Sequence, residues 1–282
     1  MIEVLHPGLY TSIQDLGRFG YRNQGVPNSG VMDAISAGLA NALLNNTVDC
    51  ALLEMTVIGP KILFTSETAI AITGADMSPK LNDKRISNNK VVHIKNGDVL
   101  SFGNAVNGAR CYLAVKGGIQ SECVLNSRSQ FKNITHKIKL AKNDRLEIVS
   151  ITETNFKTAS GKLRMNNAFF NTNELLVYKG PEFDILKSED QKKVFNTEFT
   201  ISNNSNRMGY QLNEIVAPHN TSIITSPVLP GTIQLLPSGR LIVLMKDAQT
   251  TGGYPRILQL SEKAISILAQ KNLGDKVRLE LI

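Results

Sequence analysis

The chain has 282 residues, of which 42% are hydrophobic and 20% charged, a balance that excludes a disordered or coiled-coil protein and suits one large or two ordinary globular domains. Lys+Arg 31 against Asp+Glu 24 leaves a net charge of +7, too dilute over this length to imply a nucleic-acid partner. Three cysteines without CxxC spacing argue against a disulfide framework or a structural zinc site and for a reducing compartment. The opening Met1 to His6 has neither the cationic nor the apolar segment of a signal peptide. The aliphatic run 241–245 is far shorter than the ~20 residues of a membrane helix. The expectation is a soluble, cytoplasmic protein without membrane or nucleic-acid partners.

Short apolar runs punctuated by Gly, Asn, Asp and Ser predict strands joined by tight turns. In chain order these are 51–58, 61–64, 69–73, 91–94, 99–102 and 110–115, then 174–178, 198–201, 232–236, 241–245 and 276–281. Two segments have helical periodicity. Over 31–44, Val31, Ile35, Leu39, Ala42 and Leu43 share a face behind Ser29 as cap; over 262–270, Ile265, Leu268 and Ala269 do so behind Ser261. The fold class is mainly β with a few short helices.

A weak internal repeat organises the chain. Gly59-Pro60 and Gly231 each precede a strand, a polar turn, a second strand and a polar loop. A Gly-Asp turn leading into a further strand follows each, at Gly97-Asp98 and Gly274-Asp275. Two unrelated hairpins would look similar locally, but the shared order favours duplication. The polar stretch 150–160 then reads as a linker, with domains at 1–155 and 156–282.

No phosphate-binding GxxxxGK[ST] exists, because Gly161-Lys162 lacks the upstream glycine, and GxSxG and HExxH are absent as well. The histidines His6, His93, His136 and His219 lack ligand spacing, so no metal site is predicted. The stretch from Gln14 to Gly30 crowds four glycines with Arg18 and Arg22 before a helix. Glycines can turn N–H groups toward an anion, and an arginine fork can hold a carboxylate or phosphate. A tight structural loop in which Arg18 pairs with Asp15 or Asp33 fits the same residues. The stretch from Asp247 to Pro255 offers a general base in Asp247, polar groups in Gln249, Thr250 and Thr251, and an adaptable Gly252-Gly253 beside Tyr254. A type II turn capped by Asp247 fits those residues equally. Arg207 near Tyr210 could clamp an anion. Met245-Lys246 resembles half a biotin acceptor, but Asp247 follows where a methionine is required.

These stretches resemble one family in order along the whole chain: LHPGLYTSIQDLGRFGY from Leu5 to Tyr21, GVPNSGVMD from Gly25 to Asp33, then Asn41, Leu53-Glu54, Gly59-Pro60 and Ile72 to Ala75. Tyr112 to Gly118, Ser127 to Ser129, Gly180-Pro181, Arg207 to Tyr210, Gly231 to Gln234 and Gln249 to Pro255 continue it. The set is similar to the biotin-dependent carboxyltransferase/allophanate hydrolase subunit 2 family, which includes the C subunits of 5-oxoprolinases and KipA-like proteins. The resemblance implies two cyclophilin-like β-barrel domains, an allophanate hydrolase subunit 1-type sister subunit, a LamB/YcsF-type subunit, and ATP-dependent conversion of 5-oxo-L-proline to L-glutamate. ATP, with Mg at the level of the complex, is the implied cofactor, with no covalent biotin on this chain. A carboxyltransferase half-unit and a KipA-like regulator that binds a kinase-inhibitor sister subunit are the implied alternatives. The site residues that follow are Asp247, Gln249 and Thr250 for catalysis. Gln14, Arg18, Arg22, Ser29, Arg207, Tyr210, Thr251, Gly252, Gly253 and Tyr254 are those for substrate or anion binding. Asn126, Gln130 and Asn45 depart from the family pattern, the first two in a loop expected to line the cleft.

Overall fold

The computed structural model describes residues 1–149 and 168–282, and within it the chain divides into two compact units. The first comprises Met1–Arg18 and Ser29–Phe170, the second Phe19–Asn28 and Asn171–Ile282. The expected linker 150–160 and the boundary at 155/156 lie outside the described residues. Segment 19–28, assigned from the sequence to the first domain, groups with the second unit.

The first unit has two antiparallel sheets. One runs in the order Arg145–Leu146, Ile2–His6, Lys61–Phe64, Val99–Ser101, Lys80–Leu81, Lys84–Arg85. The other runs Tyr10–Gln14, Leu52–Thr56, Asn107–Val115, Thr68–Asp76, Val91–Ile94. Side chains alternate faces along a strand, so one strand serves two cores. Cys111, Leu113 and Val115 join Ile2, Val4 and Phe64 of the first sheet in one core, while Tyr112 and Ala114 turn outward under helix Ala34–Leu43. Ala69, Ala71 and Ala114 are small enough to let that helix settle on the sheet.

The helix begins three residues later than predicted. Its cap is Asp33, not Ser29: the Asp33 carboxylate accepts from Ile35 N and Ser36 N, both at 3.0 Å. At the other end Asn45 N donates to Ala42 O and Asn46 N to Asn41 O, with Asn45 at φ 53°. That is a Schellman ending, whose left-handed residue is normally glycine. Asn126 sits at φ 59° in the turn closed by Val124 and Ser127. Asn45 and Asn126, two of the departures from the family pattern, are thus of the residue type that after glycine best tolerates this conformation.

The second unit is a seven-stranded sheet in the order Phe199–Thr200, Lys276–Leu281, Glu174–Lys179, Arg256–Leu260, Thr232–Leu235, Arg240–Leu244, Gly209–Ile215. An Ile201–Leu212 bridge joins its outer strands, so the sheet is nearly closed into a barrel. Leu175, Val177, Ile233, Leu235, Val243, Leu258, Val277 and Leu279 are buried. Helix Glu262–Ala269 starts at Ser261, whose hydroxyl accepts from Ala264 N as the sequence predicts, and helix Ser188–Asn196 was not predicted. A two-stranded ribbon, Ser226–Pro227 with Thr251–Gly252, completes the unit.

The repeated signal has two parts. Thr232–Leu235 and Arg240–Leu244 pair as a hairpin, but Lys61–Phe64 and Thr68–Asp76 belong to different sheets. The Gly-Asp turn is a local device, and an Asn-Asp turn has the same bond: Lys95 N, Ala141 N and Asn272 N each donate to the aspartate three residues on, at 2.8, 2.9 and 2.7 Å. Gly97, Asn143 and Gly274 hold the left-handed position before each aspartate.

Candidate functional site

In the first unit the Gln14–Arg18 segment is bound to a distant loop. The Asp15 carboxylate accepts from Gly17 N at 2.8 Å, Ser127 Oγ at 2.7 Å, Arg128 N at 2.5 Å and Ser129 Oγ at 2.6 Å. Arg18 is fully buried, and its guanidinium donates to the carbonyls of Val124 (3.2 Å) and Ser129. Gln14 Nε2 donates to Ser12 Oγ at 3.0 Å and Gln130 O at 3.3 Å. Charged partners strengthen such bonds, so loop 124–130 is held at fixed points.

This network anchors the start of the Gly-rich stretch. Arg18 reaches the carbonyls of that distant loop. The N–H groups that follow the loop face inward: Val31 N donates to Asp15 O (2.9 Å), Met32 N to Glu54 Oε2 (2.7 Å) and Asp33 N to the Tyr112 hydroxyl (2.8 Å). Asp33 itself occupies the helix N-terminus where an anion would sit. Tyr112 in turn donates to Glu54 at 3.0 Å, and burial first, then the Glu54 and Asp33 charges, push its phenol well above the ordinary range. Ser29 is buried at φ 54°, its hydroxyl without a partner among the described residues.

The same loop walls a pocket of about 330 Å³ in the first unit. Ile13, Leu140 and Leu146 form its apolar lining, and Arg128 and Gln130 its polar side. Sequence reasoning met Arg128 and Gln130 only as part of a motif and as a departure from it. The depth of the pocket depends on Leu140 and Leu146 arriving from residues 140–147, which no local pattern announces.

The remaining predicted residues lie in the second unit. Arg207 Nε and Nη2 reach Asp247 Oδ2 and Oδ1 at 2.8 and 3.1 Å, with the two side chains 8% and 10% exposed. Arg22 donates to Val228 O and, at 3.2 Å, to Thr250 O. Burial lowers the Arg22 pKa. Arg256, missed from the sequence, grips Glu182 with Nε at 2.9 Å and Nη2 at 2.6 Å and reaches Pro227 O at 2.9 Å. The three arginines thus brace loops 226–228 and 247–250. Tyr210 is buried opposite Val243, and Gly252 lies against the Gln234 amide, which donates to Tyr254 O at 3.2 Å. Gln249, Thr251 and the Tyr254 ring face solvent, with Thr250 and Gly253 half-buried. Asp247 is therefore engaged by Arg207 and does not face solvent as a ready base. Among the described residues no three His, Cys, Asp or Glu side chains converge as a metal site.

A nearly closed, largely antiparallel sheet and loops braced by arginine define a mainly β carboxyltransferase-type fold. The crystal structure of TTHA0988 superimposes with a TM-score of 0.85 at 26% identity, over 99% of this chain and 55% of that one. The Kluyveromyces lactis urea amidolyase structure gives 0.87 at 30% identity, over 99% of this chain and 18% of the enzyme. The family model for the carboxyltransferase domain, subdomain A and B, matches residues 24–281, and the chain belongs to this family. It is 31% identical to the C subunit of 5-oxoprolinase from Escherichia coli (strain K12) over 98% of its own length and 90% of that protein. It is 48% identical to the urea amidolyase of Lachancea kluyveri over 46% of its length, which is 7% of that enzyme. The chain thus spans about half of TTHA0988 and a small part of the fungal enzymes.

Proposed function

We propose that the chain is a subunit of an ATP-dependent 5-oxoprolinase that hydrolyses 5-oxo-L-proline to L-glutamate. It acts in the cytoplasm with an allophanate hydrolase subunit 1-type sister subunit and a LamB/YcsF-type subunit. The observation that carries this reading is the end-to-end correspondence with the E. coli protein, 90% of which is covered. Among the described residues no helix is long and apolar enough to cross a membrane, in keeping with that setting.

ATP, with Mg, belongs to the complex rather than to this chain's Gly-rich loop. The helix N-terminus that follows the loop does not fit nucleotide phosphates, because Asp33 caps it and the N–H groups of residues 31–33 face inward. Lys246, half-buried before the ion-paired Asp247, lacks the exposed hairpin tip of a biotinyl lysine, and the reading includes no covalent biotin.

Reconstituting the three subunits and measuring ATP-dependent glutamate release from 5-oxo-L-proline tests the reading. Turnover of urea or another amide in its place would sink it. The TM-score of 0.87 to K. lactis urea amidolyase favours a second reading, a carboxyltransferase half-unit serving a separate biotin carrier. Avidin inhibits the assembled activity in that case and leaves a 5-oxoprolinase untouched. A KipA-like regulator would bind its sister subunit without any turnover.

A further inference from the structure

We propose that the first-unit pocket walled by Arg128 and Gln130 binds a small amino or lactam acid, its carboxylate held by the Arg128 Nε–H and the Gln130 side-chain NH₂. The orientation of Gln130 is set by its own strand contact. Its Oε1 accepts from Ile13 N at 3.1 Å, which leaves the NH₂ directed away from that strand and without a partner among the described residues. Arg128 uses Nη1 on Ser121 O and Nη2 on Gln120 Oε1 (3.3 Å), leaving Nε without one. The Ser121 hydroxyl on the same wall is buried and likewise lacks a partner. The Ser121 hydroxyl is a buried polar group of the kind that is normally bonded, and the Arg128 Nε–H and Gln130 NH₂ on the same lining are donors without protein partners among the described residues, a set that suits a ligand rich in acceptors.

The three acids of the lining, Glu122, Asp144 and Glu147, are matched in number by Arg128, Lys137 and Arg145. Asp144 is paired with Lys137 Nζ at 2.5 Å, and Glu122 lies 3.9 Å from His136 Nε2. Glu147 remains on the exposed rim, where it can accept an N–H from the ligand. Ile13, Leu140 and Leu146 receive a compact hydrocarbon skeleton, and about 330 Å³ suits a molecule of this class. The donors are preorganised, because Asp15 holds Arg128 N and the flanking serines while Arg18 holds the Val124 and Ser129 carbonyls. In this arrangement Asp15 and Arg18 are positioning residues.

The inference deepens the 5-oxoprolinase reading and rests on it for the choice of probe. The test is calorimetric titration of the purified chain with 5-oxo-L-proline, L-glutamate and 2-pyrrolidinone, the last being the lactam without its carboxylate. Saturable binding of at least one acid is expected, with the neutral lactam at least roughly ten-fold weaker. Gln130→Glu keeps an oxygen for Ile13 N–H but places negative charge where the NH₂ stood. It should weaken the acid by roughly ten-fold or more while the circular dichroism stays that of the parent. Arg128→Lys should weaken it as well. Equal binding of 2-pyrrolidinone, undiminished binding by Gln130→Glu, or no binding of either acid overturns the assignment. Glutamate release by the reconstituted complex is measured separately. Activity without pocket binding refutes the pocket alone, and pocket binding without activity refutes the 5-oxoprolinase reading alone.

Discussion

Substituting Arg207 and Asp247 singly and together separates a structural ion pair from a catalytic one. The pair makes two hydrogen bonds at 2.8 and 3.1 Å and is about nine-tenths buried. With charge centres about 4 Å apart and an effective dielectric constant of about 20, the attraction is about 4 kcal/mol. Removing one member leaves a buried charge without its counterion, which costs about 3–5 kcal/mol. Arg207→Met and Asp247→Leu should each lower stability by that amount. The double variant should lose far less than the sum, since both charges leave together, giving a coupling of about 2–4 kcal/mol. Guanidinium denaturation followed by far-ultraviolet circular dichroism measures all four corners of the cycle. Single losses under about 1 kcal/mol that simply add would refute the structural reading. A stable double variant that retained glutamate release in the complex would show that neither side chain takes part in the chemistry.

Three further outcomes follow from local geometry. Asn45→Gly should stabilise the protein slightly and Asn45→Ala should destabilise it by about 1 kcal/mol, because φ is 53° there; thermal melts of the two variants decide. Of the three thiols, Cys123 is exposed, Cys50 half-buried and Cys111 buried with burial pushing its thiol up, so a thiol reagent should modify Cys123 first and Cys111 only on unfolding. Hydrogen bonds from Arg256 hold the Glu182 carboxyl below the ordinary value of about 4.3. Its contribution is therefore present above that pH and lost as pH falls through the lowered folded-state value. Glu182→Gln should be less stable than the parent at pH 7, and the gap should close on acidification below about pH 4; a gap that widened would contradict the sign.

Much of the scaffold was legible because it is locally determined. Strands Lys61–Phe64, Val91–Ile94 and Lys276–Leu281 coincide with their apolar runs, and Ser261 caps the second long helix as its position before an amphipathic stretch requires. Strands Ile2–His6, Tyr10–Gln14 and Gly209–Ile215 were missed, their backbones being ordered by partner strands at distant positions. The helix at Ala34–Leu43 starts late because a buried aspartate, held in place by Tyr112 and Glu54 of the underlying sheet, outcompetes Ser29 as the cap.

The candidate site divides the same way. Residue order alone shows which segments carry arginines, glycines and hydroxyls, and where the backbone must enter the left-handed region, since both follow from neighbours a few residues apart. What those arginines face is settled by long-range packing. Arg18 meets carbonyls more than 100 residues away and Arg22 two more than 200 away. An arginine set on buried carbonyls and one waiting for an anion read identically in sequence. They differ in the desolvation and partner geometry that distant segments impose, and here those segments brace Arg18, Arg22 and Arg207 while leaving the donors of Arg128 and Gln130 open to the pocket.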